Sequence, residues 1–151
     1  MIKADIALAD LSFEPAWHDD HLTLGPGRVT PYAHPMVETL LVRAPGRWFL
    51  VVRERLADSL GDIDKHVVID APDDTAYHTL HHECLLWPLD YVLIEAAQAG
   101  HRLRVRAGLL GSAPVYGRVT DEQVKISWDS ADFSDRPAMI DMEVASHQLA
   151  L

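Results

Sequence analysis

The stretch that decides the fold runs from Leu103 to Trp128, beginning Leu103-Arg-Val-Arg-Ala107 and ending Val124-Lys-Ile-Ser-Trp128. In both runs every second residue is apolar, which is typical of strands with one buried face. Turn-forming residues separate them, at 108–114 and again at 121–123. Because short turns leave no room for parallel crossovers, the sequence predicts consecutive antiparallel neighbours in one sheet, at residues 91–95, 103–107, 115–119 and 124–128.

The remainder of the chain predicts a hairpin, a further strand and one helix. Residues 38–54 read as two strands around a short Ala-Pro-Gly turn, and residues 66–70 as another strand. Residues 17–32 are expected to form a polar corner, a short strand, a turn and an irregular, proline-rich stretch. The fold class is therefore α+β, rich in antiparallel sheet, with the helix at about 74–87.

The helix prediction depends on its ends and its apolar stripe. Asp73 and Asp74 supply an N-cap and an acidic first turn, and a proline follows residue 87. Tyr77, Leu80 and Cys84 recur at helical spacing. We therefore expect this stripe to pack on a sheet, with the histidines of the helix in water.

The run Ala107-Gly-Leu-Leu-Gly-Ser-Ala-Pro-Val-Tyr116, followed by Ser127-Trp-Asp129, resembles the class II glutamine amidotransferase domain of asparagine synthetases. Its Gly-Ser-Ala-Pro-x-Tyr and Ser-Trp-Asp forms are similar to the divergent branch that includes lasso-peptide cyclases. The resemblance implies a reduced amidotransferase-like sandwich of the Ntn type. Full family domains are usually longer than 151 residues. The single domain 1–151 is thus expected to be a shortened relative or the N-terminal fragment of a larger synthetase.

The resemblance also implies a glutaminase reaction, whose residues are missing here. Active family members attack the amide with a cysteine exposed as their first residue and hold the oxyanion with an Asn-Gly pair. This chain begins Met1-Ile2-Lys3 and contains no asparagine, and it lacks the Ser-Gly-Gly-x-Asp-Ser loop of the ATP-binding half. We therefore expect a catalytically silent domain with no catalytic residue and no cofactor. Its expected partner is a synthetase domain in cis or in trans, or a second copy of itself.

The candidate interface residues lie in the loop that carries the resemblance and beside it. Two glycines let this loop turn tightly and Pro114 fixes its exit. Leu109 and Leu110 are expected to be buried, either beneath the sheet or in an interface. The full set comprises Leu109, Leu110, Ser112, Pro114, Tyr116, Trp128 and Asp129.

Composition excludes several classes of partner. The net charge is −10 with scattered acidic residues, whereas nucleic-acid binding requires a basic face. Arg102, Arg104 and Arg106 alternate on one strand and are expected on its solvent face. No apolar run approaches the ~20 residues that span a bilayer, and no signal-peptide pattern is present. The expectation is a cytoplasmic protein with no membrane partner. The single cysteine, Cys84, excludes an intrachain disulfide and is expected to be a buried hydrophobe.

The histidines leave a second hypothesis open, that of a metal-binding protein or metal-dependent enzyme. His78 and His82 are four residues apart on the predicted helix and can reach a common ion, such as zinc. His18 and His21 form a second candidate pair in the polar corner. The alternative interpretation is that His78, His81 and His82 form the polar face that every amphipathic helix needs.

Overall fold

The computed structural model describes residues 1–56, 66–108 and 114–134, which form two stacked sheets with one helix outside them. The strands are β1 (Ile2–Ala7), β2 (Ala16–His18), β3 (His21–Leu24), β4 (Gly27–Pro31), β5 (Val37–Ala44), β6 (Arg47–Glu54), β7 (His66–Asp70), β8 (Tyr91–Ala97), β9 (Arg102–Ala107), β10 (Tyr116–Val119) and β11 (Gln123–Ser127). The helix α1 (Asp74–Leu85) lies between β7 and β8, and two short 3-10 helices span Leu8–Ser12 and Ser130–Phe133. The predicted fold class, α+β with mostly antiparallel sheet, is confirmed.

The first sheet has the strand order β10-β11-β1-β4-β3-β2, and the second has the order β7-β5-β6-β8-β9. Every pairing is antiparallel except that of β5 with β7. The hairpin predicted at residues 38–54 is confirmed as β5 and β6. Its turn contains Gly46 at φ 71°, a backbone conformation that glycine adopts without steric cost.

The predicted four-stranded meander is wrong at its centre. β8 pairs with β9 in the second sheet, whereas β10 pairs with β11 in the first, where β11 also pairs with β1. Tight turns determine only which strands pair within the β8–β9 and β10–β11 hairpins. The residues between β9 and β10 are numerous enough to carry the chain across the ~10 Å between stacked sheets.

Residues 16–31 are also more regular than the sequence predicts. They form the short strands β2, β3 and β4, which continue the first sheet beyond β1. The β2–β3 turn contains Asp19 at φ 52°, and the β3–β4 turn contains Gly25 at φ 58°. Strands of three to five residues are too short for a period of two to be evident.

Two apolar layers hold these elements together, and the second sheet contributes to both. The inner layer fills the space between the sheets, and the outer layer lies between the second sheet and α1. Along β6, Trp48, Leu50 and Val52 face the inner layer, whereas Phe49 and Val51 face the outer one. This alternation follows from the pleat of a strand that is buried on both faces.

The helix ends at Leu85, two residues before the predicted end, and the Asp73 carboxylate accepts a hydrogen bond from the Ala76 N–H at 2.8 Å. The predicted stripe is confirmed, since Tyr77 and Cys84 are buried and Leu80 packs beside them. The expectation that all helix histidines lie in water is wrong for His81, whose side chain is 15 % exposed. His81 follows Tyr77 by four residues and therefore shares its face of the helix.

In the described part of the chain, no helix is both long and apolar enough to cross a bilayer.

Candidate functional site

Aromatic side chains, three exposed and one half-buried, lie at the end of the two-sheet structure where β1 begins and β11 ends. This aromatic end consists of Tyr32, His34, Tyr116 and Trp128. Tyr32 lies edge-on to Trp128 at 5.4 Å between ring centroids and is stacked on His34 at 5.9 Å. Tyr32 and Tyr116 are 46 % and 44 % exposed. Side chains of this kind are common in binding surfaces because they combine large apolar area with a polar atom.

Strand pairing brings these residues together from distant parts of the sequence. β1 is antiparallel to both β4 and β11, so Ile2 pairs with Pro31, and β10 places Tyr116 opposite Ser127. The Tyr32 N–H donates to the Met1 carbonyl at 2.9 Å. The connection from β4 to β5 starts at this end, and β10 begins here with Tyr116. The sequence contains no local signal for this grouping, because it arises from register.

The run Ser127-Trp128-Asp129 ends β11, and hydrogen bonds within the following turn engage Ser127 and Asp129. Ser127 is buried and its Oγ donates to Asp132 Oδ2 at 2.5 Å. The Asp129 N–H donates to Ser127 Oγ at 3.0 Å, and the Asp129 carboxylate accepts from the Ala131 N–H at 2.9 Å. Ser127 and Asp129 therefore begin the short 3-10 helix that follows, while Trp128 is half-buried.

Lys3 connects this capped turn to the aromatic end. Its Nζ is 2.7 Å from Asp132 Oδ2 and 5.1 Å from the centre of the Trp128 ring. The hydrogen bonds from Lys3 and Ser127 lower the pKa of Asp132 below its ordinary value. The carboxylate therefore stays charged at neutral pH and holds the lysine beside Trp128.

The other predicted interface residues divide between exposed positions and undescribed ones. Pro114 is exposed, next to the partly buried Val115. Leu109, Leu110 and Ser112 lie outside the described residues, so the prediction that the two leucines are buried stays a prediction.

The histidine pairs of the metal hypothesis lie in different layers. His78 and His82 are exposed on α1, which covers the outer face of the second sheet. His18 and His21 belong to the β2–β3 turn of the first sheet, with ring centroids 6.3 Å apart. The second sheet separates the two pairs. Among the residues described, no group of three or more His, Cys, Asp or Glu side chains could hold a metal ion.

A polar cluster in the outer layer was not predicted from the sequence. It consists of Tyr77, His81 and Glu95, and in the described part of the chain Tyr77 Oη, His81 Nε2 and Glu95 Oε2 are buried without a hydrogen-bond partner. His81 Nε2 is 3.6 Å from Glu95 Oε2, too far for a good hydrogen bond. Arg47 covers the cluster, with its guanidinium 4.4 Å from the centre of the Tyr77 ring.

Burial sets the protonation states in this layer. It lowers the pKa of His81, and it raises the pKa of the Tyr77 hydroxyl, which the charge of Glu95 raises further. His81 is therefore neutral at neutral pH. Helical spacing of residues 77 and 81 was the only sequence signal, because Glu95 arrives from another element.

Cys84 lies deeper in the same layer and is buried as expected. Burial raises the pKa of its thiol to about 11. Because the thiolate is the nucleophilic form, this cysteine is unreactive at neutral pH.

No protein-family model, curated protein or solved structure matches this chain.

Proposed function

We propose that this chain is a catalytically silent, amidotransferase-like domain of the cytoplasm. It would serve as a docking unit for an ATP-dependent, asparagine synthetase-like enzyme that forms amides. The exposed aromatic end is the observation that carries this proposal. Fold class alone does not assign a function.

The aromatic end has the composition and support of a docking surface. Tyr and Trp are enriched in the centres of protein interfaces, where their apolar area is buried and their polar atoms find partners. Tyr32 and Tyr116 lie beside the ordered core of the first sheet, and the Lys3–Asp132 contact at 2.7 Å fixes the neighbouring turn. A surface that is already ordered loses less entropy when it binds.

The resemblance to amidotransferases makes a synthetase the expected partner. It implies that the run from Gly108 to Pro114 lies near the boundary with the synthetase half. In this chain Tyr116 of the aromatic end follows that run, two residues after Pro114.

Catalytic silence is supported by the chemistry of the available groups. The chain has no asparagine for an oxyanion hole, and Cys84 is its only cysteine. That thiol is buried, and its pKa of about 11 keeps it protonated. A glutaminase needs an accessible nucleophile with a base beside it.

The docking arm of the test compares two variants on the same strand. Tyr116→Ser removes an aromatic side chain at the aromatic end, and Val119→Ser removes an exposed side chain at the other end of β10. Each is mixed with a synthetase domain that carries the Ser-Gly-Gly-x-Asp-Ser loop and comes from the same genome. Sedimentation velocity should show a complex for the unaltered chain and for Val119→Ser. The Tyr116→Ser complex should be at least about tenfold weaker.

Failure of the unaltered chain to bind that domain, or equal binding by both variants, would overturn docking through the aromatic end. Self-association that Tyr116→Ser abolishes would replace the synthetase with a second copy as partner.

The catalytic arm measures ammonia and glutamate release from glutamine by the purified chain. We expect no release above a blank without protein. Turnover that persists in a Cys84→Ser variant would show a nucleophile elsewhere and would end the claim of silence.

A further inference from the structure

We propose that the outer edge of β9 binds an extended peptide segment in which acidic and apolar residues alternate, by adding it as a further strand of the second sheet. β9 is the last strand of this sheet in the described residues. Its surface is separate from the aromatic end, so this inference is independent of the synthetase proposal.

The register shows which backbone groups of β9 are directed outward. The Gly108 N–H donates to the Tyr91 carbonyl at 2.8 Å, and Leu93, Glu95 and Ala97 pair with alternate residues of β9. In an antiparallel pair, hydrogen-bonded positions alternate with non-bonded ones. The backbones of Arg102, Arg104 and Arg106 are therefore directed toward β8, and those of Leu103, Val105 and Ala107 toward the free edge.

The side chains of β9 divide between the two faces of the sheet. Arg104 is opposite Glu95, and its Nη1 is 3.9 Å from the Glu95 carboxylate, on the face that carries α1. Arg102 and Arg106 share this face because they are two residues away on either side. All three arginines are exposed. Leu103 is on the opposite face, where it packs against the inner layer, and Val105 beside it is 37 % exposed.

Charge on the arginine face favours an acidic partner. Neither Arg102 nor Arg106 has a carboxylate partner in the described part of the chain, whereas Arg104 has Glu95. The neighbouring groups that face them from β6, β8 and α1 are Arg47, Glu95, His78 and His81. This row is basic in a protein whose net charge is −10.

The geometry of strand addition defines the pattern of the partner. Residues that the new strand places opposite the three arginines occupy non-hydrogen-bonded positions, where cross-strand side chains are closest. Carboxylates at every second residue would each meet one guanidinium. The residues between them would lie beside Leu103 and Val105, where apolar side chains fit. Backbone hydrogen bonds supply affinity in this binding mode, and alternate side chains supply specificity.

The test uses a fluorescein-labelled, seven-residue peptide with three glutamates that alternate with valines, and a matched peptide with three glutamines. Fluorescence anisotropy should show saturable binding of the glutamate peptide that weakens as salt is raised. We expect the glutamine peptide, and a triple variant Arg102→Gln, Arg104→Gln and Arg106→Gln, each to lower affinity by about tenfold.

A proline variant separates backbone pairing from charge. Val105→Pro removes one outward N–H, and this position does not donate to β8. It should abolish binding, whereas Val105→Thr should bind like the unaltered chain. Val119→Pro is the control, because β10 is the outer strand of the other sheet. It should leave binding unchanged.

Amide hydrogen exchange gives a readout that does not depend on the variants folding. Saturating glutamate peptide should slow exchange at Leu103, Val105 and Ala107. If the glutamate peptide does not bind, the proposal is overturned. The arginines would then have only the role of preventing edge-to-edge aggregation. Binding without slowed exchange, or equal binding of the two peptides, would overturn the proposal as well.

Discussion

The two faces of the second sheet are buried in different ways. The inner layer is formed mainly by apolar residues: Ile2, Ala4, Ile6, Leu11, Leu22, Leu24, Val29, Leu41, Trp48, Leu50, Val52, Val92, Ile94, Ala96, Val124 and Ile126. Trp48 also brings an indole N–H into this layer, and it is buried without a hydrogen-bond partner in the described part of the chain. The outer layer encloses Tyr77 Oη, His81 Nε2 and Glu95 Oε2, for which the described residues supply no hydrogen-bond partner. Burial of apolar side chains stabilises a fold without the loss of hydrogen bonds to water, whereas each buried polar group without a partner is destabilising. The inner layer therefore holds the two sheets together mainly by apolar contact, whereas the outer layer carries three such polar atoms, on Tyr77, His81 and Glu95, that reduce its stabilising effect.

The largest expected difference between the layers concerns leucine truncation. Leu50 is fully buried in the inner layer, and Leu80 is a partly buried residue of α1 in the outer one. Leu50→Ala should lower the free energy of unfolding by about 2–5 kcal/mol, because it leaves a cavity between two sheets. Leu80→Ala should lower it by less than about 2 kcal/mol, since part of that side chain is already in water. Urea unfolding followed by circular dichroism measures both.

Equal losses would contradict this assignment of the layers. A larger loss for Leu80→Ala would show that docking of the helix, and not the contact between the sheets, dominates stability.

The second difference concerns the Tyr77 hydroxyl. Tyr77→Phe removes a buried oxygen without changing the shape of the ring that packs against Phe49 at 5.2 Å. We expect the free energy of unfolding to rise by about 1 kcal/mol, the low end of the cost of an unsatisfied buried polar group. The same urea experiment measures it, with Tyr116→Phe as the exposed control that should change nothing. A loss of stability in Tyr77→Phe would mean that the hydroxyl has a partner.

The elements that the sequence predicts well are those with local signals. The β5–β6 hairpin follows from its Pro-Gly turn, and α1 follows from Asp73 and the stripe of Tyr77, Leu80 and Cys84. The division of the meander between two sheets has no local signal. Whether β10 joins β9 or begins a new pairing depends on which sheet offers β11 a partner, and that partner is β1.

The candidate sites show the same limit. The sequence predicts Trp128 and Tyr116 as interface residues, and both lie at the aromatic end, whereas Tyr32 has no sequence signal because register alone brings it there. The alternation of Arg102, Arg104 and Arg106 is evident in the sequence. Their position on the edge strand, on the face beside α1, depends on pairing with β8, which no property of a single strand reveals.

The smallest expected effect is a pH dependence that belongs to the outer layer. Burial lowers the pKa of His81 below its ordinary value of 6.5, with Arg104, Arg106 and His78 acting in the same direction and Glu95 opposing them. Below pH 6.5 His81 therefore binds a proton more readily in the unfolded chain than in the folded chain. This contribution to stability is complete above pH 6.5 and is lost as pH falls through the pKa of the folded state.

His81→Phe should remove that loss, so its free energy of unfolding should decrease less than that of the unaltered chain between about pH 7.5 and pH 5. His82→Gln is the matched control, because His82 is exposed on the adjacent position of α1, and its pH profile should parallel that of the unaltered chain. Parallel profiles for all three proteins would show that His81 titrates alike in the folded and unfolded states. The contrast between a mainly apolar inner layer and a more polar outer one would then rest on the buried hydroxyl of Tyr77 and the buried carboxylate oxygen of Glu95.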